Sequence, residues 1–163
     1  MGRQNGRDRS RAEQALRAHG TPLYRLCLMI LGQKMDAEDA VSETMLRYLT
    51  KAPAFRDEGQ ERAWLFTVAA NVCRDMLRKR RKTVSLEDME LADYGVSPEH
   101  QAVLAALERL PEQYRTVLCL HYVEGYQSGE IAAMLGLQPG TVRKRLQYGR
   151  QKLKLEYEQE ERL

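Results

Sequence analysis

Apolar positions in this chain recur every three or four residues and almost nowhere in strict alternation, so the pattern predicts helices throughout and an all-α fold. The clearest run is Leu65, Val68, Ala69, Val72 and Met76, one stripe of a helix over roughly 61–80. Helix starts and stops can be placed around it. Ser10 and Glu13 fit a capping box. Thr21 followed by Pro22 marks a second start, and Gly32 the end of that helix. Asp36 is placed to cap a helix that runs to about Leu49. Residues 52–60, APAFRDEGQ, read as a loop. Ser97 and Pro98 restart helix with Val103, Leu104, Leu107 and Leu110 on one face, and Pro111 opens the next helix, which Gly125 stops. The rhythm fails between them. Residues 83–97 carry Glu87, Asp88, Glu90 and Asp93, no Lys or Arg, and weak periodicity, which predicts a flexible acidic linker. The expected architecture is two small helical domains, 1–82 and 98–163, joined by 83–97.

The last stretch of pattern is the most specific. In IAAMLGLQPGTVRKRL, residues 131–146, Ile131, Ala132 and Leu135 face inward, Gly136 suits a left-handed turn, and Pro139 opens a second helix. On that helix Val142, Leu146, Gly149 and Leu153 share one arc, the predicted buried face. Lys144, Gln147 and Gln151 point the other way, with Thr141, Arg143, Arg145, Tyr148 and Arg150 on the flanks. This is the layout of a helix-turn-helix, whose second helix enters the major groove. Lys144, Gln147 and Tyr148 are the candidate base readers; Thr141, Arg143, Arg145 and Arg150 are candidate phosphate or mixed contacts.

Charge strengthens that reading by its distribution. The net charge of +3 says little, but RKRRK at 78–82 is a block of five basic residues, and 139–154 holds six basic residues and no acidic one. Two basic blocks around an acidic spacer suit two contacts with a polyanion. No apolar run is long enough to span a bilayer, and none follows the basic N-terminus as a secretory signal would, so a cytoplasmic protein without membrane insertion is expected. Cys27, Cys73 and Cys119 lie far apart and fit reduced, half-buried thiols; with His19, His100 and His121 scattered, neither a metal site nor a cofactor is expected.

Two further features lie off the core stripes. Trp64, Asn71, Asp75 and Arg78 share a flank of the 61–80 helix, and Phe55 opens a polar loop before it. An aromatic beside a polar loop and a basic helix end suits single-stranded nucleic acid, although Trp64 by itself also suits core packing. In DAEDAVSETMLRYL, Asp39, Glu43 and Leu46 share an arc with Ser42 beside them. Leucine between carboxylates suits a protein partner, while acidic residues in a first turn also suit the helix dipole.

On these segments the chain resembles the sigma-70 family of bacterial transcription initiation factors in its small two-domain, extracytoplasmic-function form. DAEDAVSETMLRYL resembles the core-polymerase-binding segment, FRDEGQERAWLFTVAANVCRDMLRKRRK the segment that melts and reads the −10 element, and LPEQYRTVLCLHYVEGYQSGEIAAMLGLQPGTVRKRLQYGRQKL the −35-reading domain. The resemblance implies a non-enzymatic factor that directs core RNA polymerase to promoters. It implies that Asp39, Ser42 and Glu43 dock on the clamp helices of the largest subunit, and that Phe55 and Asn71 hold a flipped −10 base. It further implies that Lys144, Gln147 and Tyr148 read −35 bases with His121 near the DNA, and that the linker follows the RNA exit path. An anti-sigma factor is a further implied partner. Ser42 stands where the family usually has Gln, and Asp57 where a Gly usually follows Phe-Arg. The rival reading is a stand-alone helix-turn-helix regulator, which would account for 98–158 but not for the Asp39 face or the Phe55 loop.

Overall fold

The computed structural model describes residues 2–83 and 98–161, which form helices α1 (Gly2–Leu31), α2 (Lys34–Lys51), α3 (Glu58–Thr83), α4 (Pro98–Glu108), α5 (Glu112–Leu118), α6 (Ser128–Leu135) and α7 (Pro139–Glu161). No strand occurs among the described residues. The expected linker, 83–97, lies outside them except at Thr83.

The first half is a three-helix unit. Helix α1 packs on α2 and α3, and α2 packs on α3. The two expected starts at Ser10 and Thr21 are not there: α1 runs unbroken with Pro22 inside it. A proline in a helix interior loses one hydrogen bond and costs about 3 kcal/mol. Burial outweighs that cost, because Ala12 and Ala15 before Pro22 and Leu23, Leu26, Cys27, Ile30 and Leu31 after it all enter the core, at about 1.5–3 kcal/mol for each large side chain. Gly32 does end the helix, at φ +76°. Asp36 does not cap α2. Gln33 holds that position, and Asp36 sits in the first turn, paired with Arg80 of α3.

Helix α3 begins earlier than the pattern predicts. Asp57 Oδ1 accepts from the Gln60 backbone N–H (2.8 Å), while the Gln60 side chain accepts from the Arg56 N–H (2.8 Å), so the loop residues themselves start the helix. Its buried set is also wider than the expected stripe. Leu65, Ala69 and Val72 are buried as predicted, but so are Phe66, Ala70 and Cys73. Glu61 ties the unit together, accepting from the Tyr48 hydroxyl (2.8 Å) and lying 3.1 Å from His19 Nε2.

The second half wraps α4, α5 and α6 around α7. Helix α5 passes into a π turn, Cys119–Val123, closed by a hydrogen bond from Glu124 N–H to the Cys119 carbonyl (3.0 Å). Gly125 then turns the chain at φ +82°. The two halves are packed against each other: α5 and α4 rest on α1, and α6 rests on α3. The Cys119 thiol lies 3.6 Å from Met29 Sδ, and Tyr126 meets Phe66 edge-on at 5.9 Å. The three cysteines are fully buried and unbridged, not half-buried. Burial pushes the Cys119 thiol up to about 12, and the neighbouring Cys27 thiol together with burial raises Cys73, so neither is a ready nucleophile.

Candidate nucleic-acid interface

Helices α6 and α7 make the turn that the glycine and proline predict. The Gln127 N–H is held by Glu130 Oε1 (3.0 Å) at the start of α6. Gly136 takes the left-handed conformation at φ +66°, and the Leu137 N–H closes the corner on the Ala132 carbonyl (2.9 Å). Val142, Leu146 and Gly149 are buried on the inner face of α7, with Leu153 partly so. At Gly149 α5 and α7 approach closely: an added Cβ would sit 3.2 Å from Leu118 and 3.3 Å from Tyr114.

That packing turns the other arc outward. Arg143, Lys144, Gln147, Tyr148 and Arg150 are exposed, and Thr141 and Arg145 are half-buried. Two of these side chains have supports that the periodicity did not reveal. Tyr148 stacks on Tyr114 of α5 at 6.5 Å between centroids and 17° between planes, and Arg150 donates to the Tyr122 hydroxyl (2.6 Å). His121 is half-buried. Its Nδ1 lies 2.7 Å from the Tyr126 carbonyl and its ring stands edge-on to Tyr122 at 4.7 Å, so it braces the turn ahead of α6.

The first half presents its candidates differently. Phe55 and Trp64 are brought together, 5.9 Å apart, and both meet Tyr48, at 6.2 and 5.9 Å. The Arg11 guanidinium lies over Tyr48 and Phe55, at 5.1 and 5.3 Å. Burial and the hydrogen bond to Glu61 push the Tyr48 phenol up to about 12. Asn71 is on the same flank as Trp64 but two turns on, about 10.5 Å along the axis, and it does not join the aromatic group. It accepts from Arg74 (3.1 Å) and lines a cleft of about 160 Å³ with Ala70, Leu135, Leu137 and Arg145, between α3 and the helix-turn-helix. Arg78 belongs to a third place, a groove between α2 and α3 that it lines with Asp39, Glu43 and Asp75.

On α2 the buried arc is Ala37, Ala40, Thr44 and Tyr48. Asp39, Ser42 and Leu46 stand in solvent, and Glu43 is half-buried beside Arg47 (3.3 Å). Met35 (77% exposed) and Leu49 join Leu46 (57%) on that side. At 100° per residue, Met35, Asp39, Ser42, Leu46 and Leu49 form one stripe, so the periodicity held all five. Three exposed apolar side chains flanking a carboxylate and a hydroxyl form an unusual solvent face but an ordinary partner face.

Known proteins match both halves of the chain. Residues 15–83 match the family described as Sigma-70 region 2, and residues 100–153 match Sigma-70, region 4. The chain is similar to the ECF RNA polymerase sigma factor SigM of Mycobacterium tuberculosis, with 35% identity over 150 residues that cover 90% of this chain and 76% of that one. It is similar to the ECF RNA polymerase sigma factor SigW of Bacillus subtilis, with 30% identity over 152 residues, 81% of each chain. Among solved structures it resembles the sigma factor RpoE in complex with the anti-sigma factor NepR from Bartonella quintana, at TM-score 0.74 and 25% identity over 90% of this chain and 96% of that one. It also resembles CnrH in complex with the cytosolic domain of CnrY, at TM-score 0.67 and 25% identity over 94% and 92%.

Proposed function

We infer the function from a premise now in hand, that the chain belongs to the sigma-70 family as an ECF RNA polymerase sigma factor: it binds core RNA polymerase and directs it to specific promoters. The observation that carries this reading is the pairing of two family regions in one chain, one holding the apolar-acidic stripe on α2 and the other an outward-facing basic recognition helix. A stand-alone regulator needs only the second.

The surfaces support a division of labour. Residues 1–82 form the polymerase-binding and −10-reading unit, 83–97 the connection through the RNA exit path, and 98–163 the −35 unit. Asp39, Ser42, Glu43 and Leu46 dock on the clamp helices of the largest subunit. Met35 and Leu49 extend that patch, because desolvated apolar side chains supply the affinity that exposed carboxylates do not. Lys144, Gln147 and Tyr148 read −35 base edges, with Tyr114 holding the Tyr148 ring in place. Thr141, Arg143, Arg145 and Arg150 contact phosphates or flanking edges, and His121 acts through the turn it braces. Phe55, Trp64, Asn71 and Arg78 serve the unpaired −10 strand, stacked bases offsetting a few kcal/mol of unpairing.

The factor performs no covalent chemistry. It works in the cytoplasm, where polymerase and promoter are, and an anti-sigma factor is its natural regulator. No described helix is long and apolar enough to cross a membrane. The test is reconstitution: the purified chain added to core polymerase should produce defined transcripts from a pool of genomic promoters. Absence of any promoter-specific transcript would refute the reading.

A further inference from the structure

The early turns of α1 bring a cation to the aromatic group of the first half. Arg11 is half-buried and donates from Nη2 to the Pro53 carbonyl. Its guanidinium lies over the rings of Tyr48 and Phe55, 5.1 and 5.3 Å from their centroids. With Ala54, Phe55, Asp57, Glu58 and Glu61 it lines an open cavity of about 350 Å³. Among the described residues no carboxylate forms an ion pair with it. Arg7 stands one turn earlier on the same face, about 6 Å along the axis, and is exposed. We propose that Arg7 and Arg11 form a phosphate track that guides the backbone of the unpaired −10 strand past this cavity, with a base beside Phe55.

The inference rests on the proposed assignment of Phe55 to the unpaired strand and adds a partner for the strand's charge. A guanidinium stacks by its face and donates by its edge, and it carries five N–H donors. The Pro53 carbonyl takes one of them. The others remain for the oxygens of a phosphate, which a planar fork meets in pairs. Stacking on two rings also fixes the fork in advance, so it loses little freedom when an anion binds. Both residues precede 15–83, the span that matches Sigma-70 region 2, so the contact adds to what that region supplies.

Charge around the cavity separates backbone from base. Residues 2–12 hold four arginines against Asp8 alone, whereas the cavity itself is lined by Asp57, Glu58 and Glu61. Those carboxylates repel a phosphate and accept an uncharged base, so the backbone belongs on the Arg7 and Arg11 side. Two of them are already engaged. Glu61 accepts from the Tyr48 hydroxyl (2.8 Å) and lies 3.1 Å from His19 Nε2, and Asp57 Oδ1 accepts from the Gln60 N–H (2.8 Å). A purely structural Arg11 would only fasten the loop at Pro53, and a neutral donor would do that equally well. Its positive charge is left over, because ring faces draw on a charge only weakly at a partly exposed site.

Binding of the assembled holoenzyme to a promoter fork whose −10 strand is unpaired tests the proposal. Arg11→Ala should weaken binding about tenfold, the loss of one charge-assisted hydrogen bond, and reduce the log–log salt slope by about 0.7. Adding Arg7→Ala should reduce the slope by about 1.4 in all. Arg11→Gln can still donate to Pro53, so it reads the charge even if Arg11→Ala loosens the loop. It should bind as weakly as Arg11→Ala, while Arg11→Lys should keep the slope. A methylphosphonate makes one phosphate of the strand neutral. At one position it should weaken binding by the unaltered chain and leave binding by Arg11→Ala unchanged, as two changes to one contact require. An unchanged salt slope with Arg11→Ala, or full binding by Arg11→Gln, would overturn the track. The assignment of Phe55 is read separately: full fork binding by Phe55→Ala would refute that role, and the track would then stand or fall on the salt slope alone.

Discussion

Along α7, Lys144, Gln147 and Tyr148 stand in solvent on a helix whose buried face is already complete, whereas along α3, Trp64 is tied up with Phe55 and Tyr48 and Asn71 lies in a seam. Both are basic helical surfaces assigned to DNA. On the proposed assignment, the difference follows from what each would bind. Duplex edges are rigid and offer their pattern to any helix that fits the groove, so a preformed surface loses little freedom on binding. Unpaired bases appear only after melting, and an aromatic pocket left open in advance would expose apolar surface with nothing to cover it. One surface is displayed and the other stored.

The largest effect expected from breaking this arrangement is on neither DNA surface. Reversing charge with Asp39→Lys and Glu43→Lys should weaken core-polymerase binding by about a hundredfold, since each change sets a like charge against a complementary partner. Co-purification with core measures it, and a −35 duplex should still bind. Next is Gly149→Leu. Its side chain would enter the space held by Leu118 and Tyr114. Overpacking of this kind costs about 1–3 kcal/mol, so thermal unfolding should show the second half weakened while α1–α3 keeps its stability.

The contrast between displayed and stored surfaces is sharpened by Lys144→Ala with Tyr148→Ala. Binding to the preferred −35 duplex should fall about thirtyfold in all, at about 1 kcal/mol for each of the two lost contacts, measured by competition among −35 variants. Equal loss on every variant would contradict base reading. Tyr114→Leu should give a smaller change of the same kind, because it removes only the ring that supports Tyr148. Should α7 neutralise about six phosphates, the log–log salt slope of duplex binding would be near −5.

The smallest effect concerns the stored aromatics. The Tyr48 phenol titrates near 10 when unfolded and is pushed up to about 12 in the fold, so its burial and its bond to Glu61 together contribute stability below pH 10 that is lost as pH rises toward 12. Tyr48→Phe should cost about 1 kcal/mol at neutral pH and flatten the decline of melting temperature between pH 10 and 12.

Most of the second half was legible in the chain. The Gly136 turn, the Pro139 start and the arc of Val142, Leu146 and Gly149 are local decisions, made by backbone freedom and a 3.6-residue period, and the structure keeps each. The starts expected at Ser10 and Thr21 do not form because a cap is worth about 1 kcal/mol and the buried Leu23, Leu26 and Ile30 outweigh it. Met35 and Leu49 were readable, since they complete the stripe of Asp39, Ser42 and Leu46. Tyr114, Tyr122 and the pairing of Arg25 and Arg62 with Glu124 had no signal in periodicity. They depend on which residues meet across 28 to 99 positions of chain.

Sequence by itself determined the helices, the basic recognition face, the acidic-apolar stripe and, through its segment order, the family. Those properties repeat within a few residues, so local chemistry suffices to encode them. Tertiary structure decided which of the surfaces is displayed. Phe66, Ala70 and Glu124 are buried because α6 and the π turn lie against α1 and α3, and a single chain's pattern cannot say which of its own faces another part will cover.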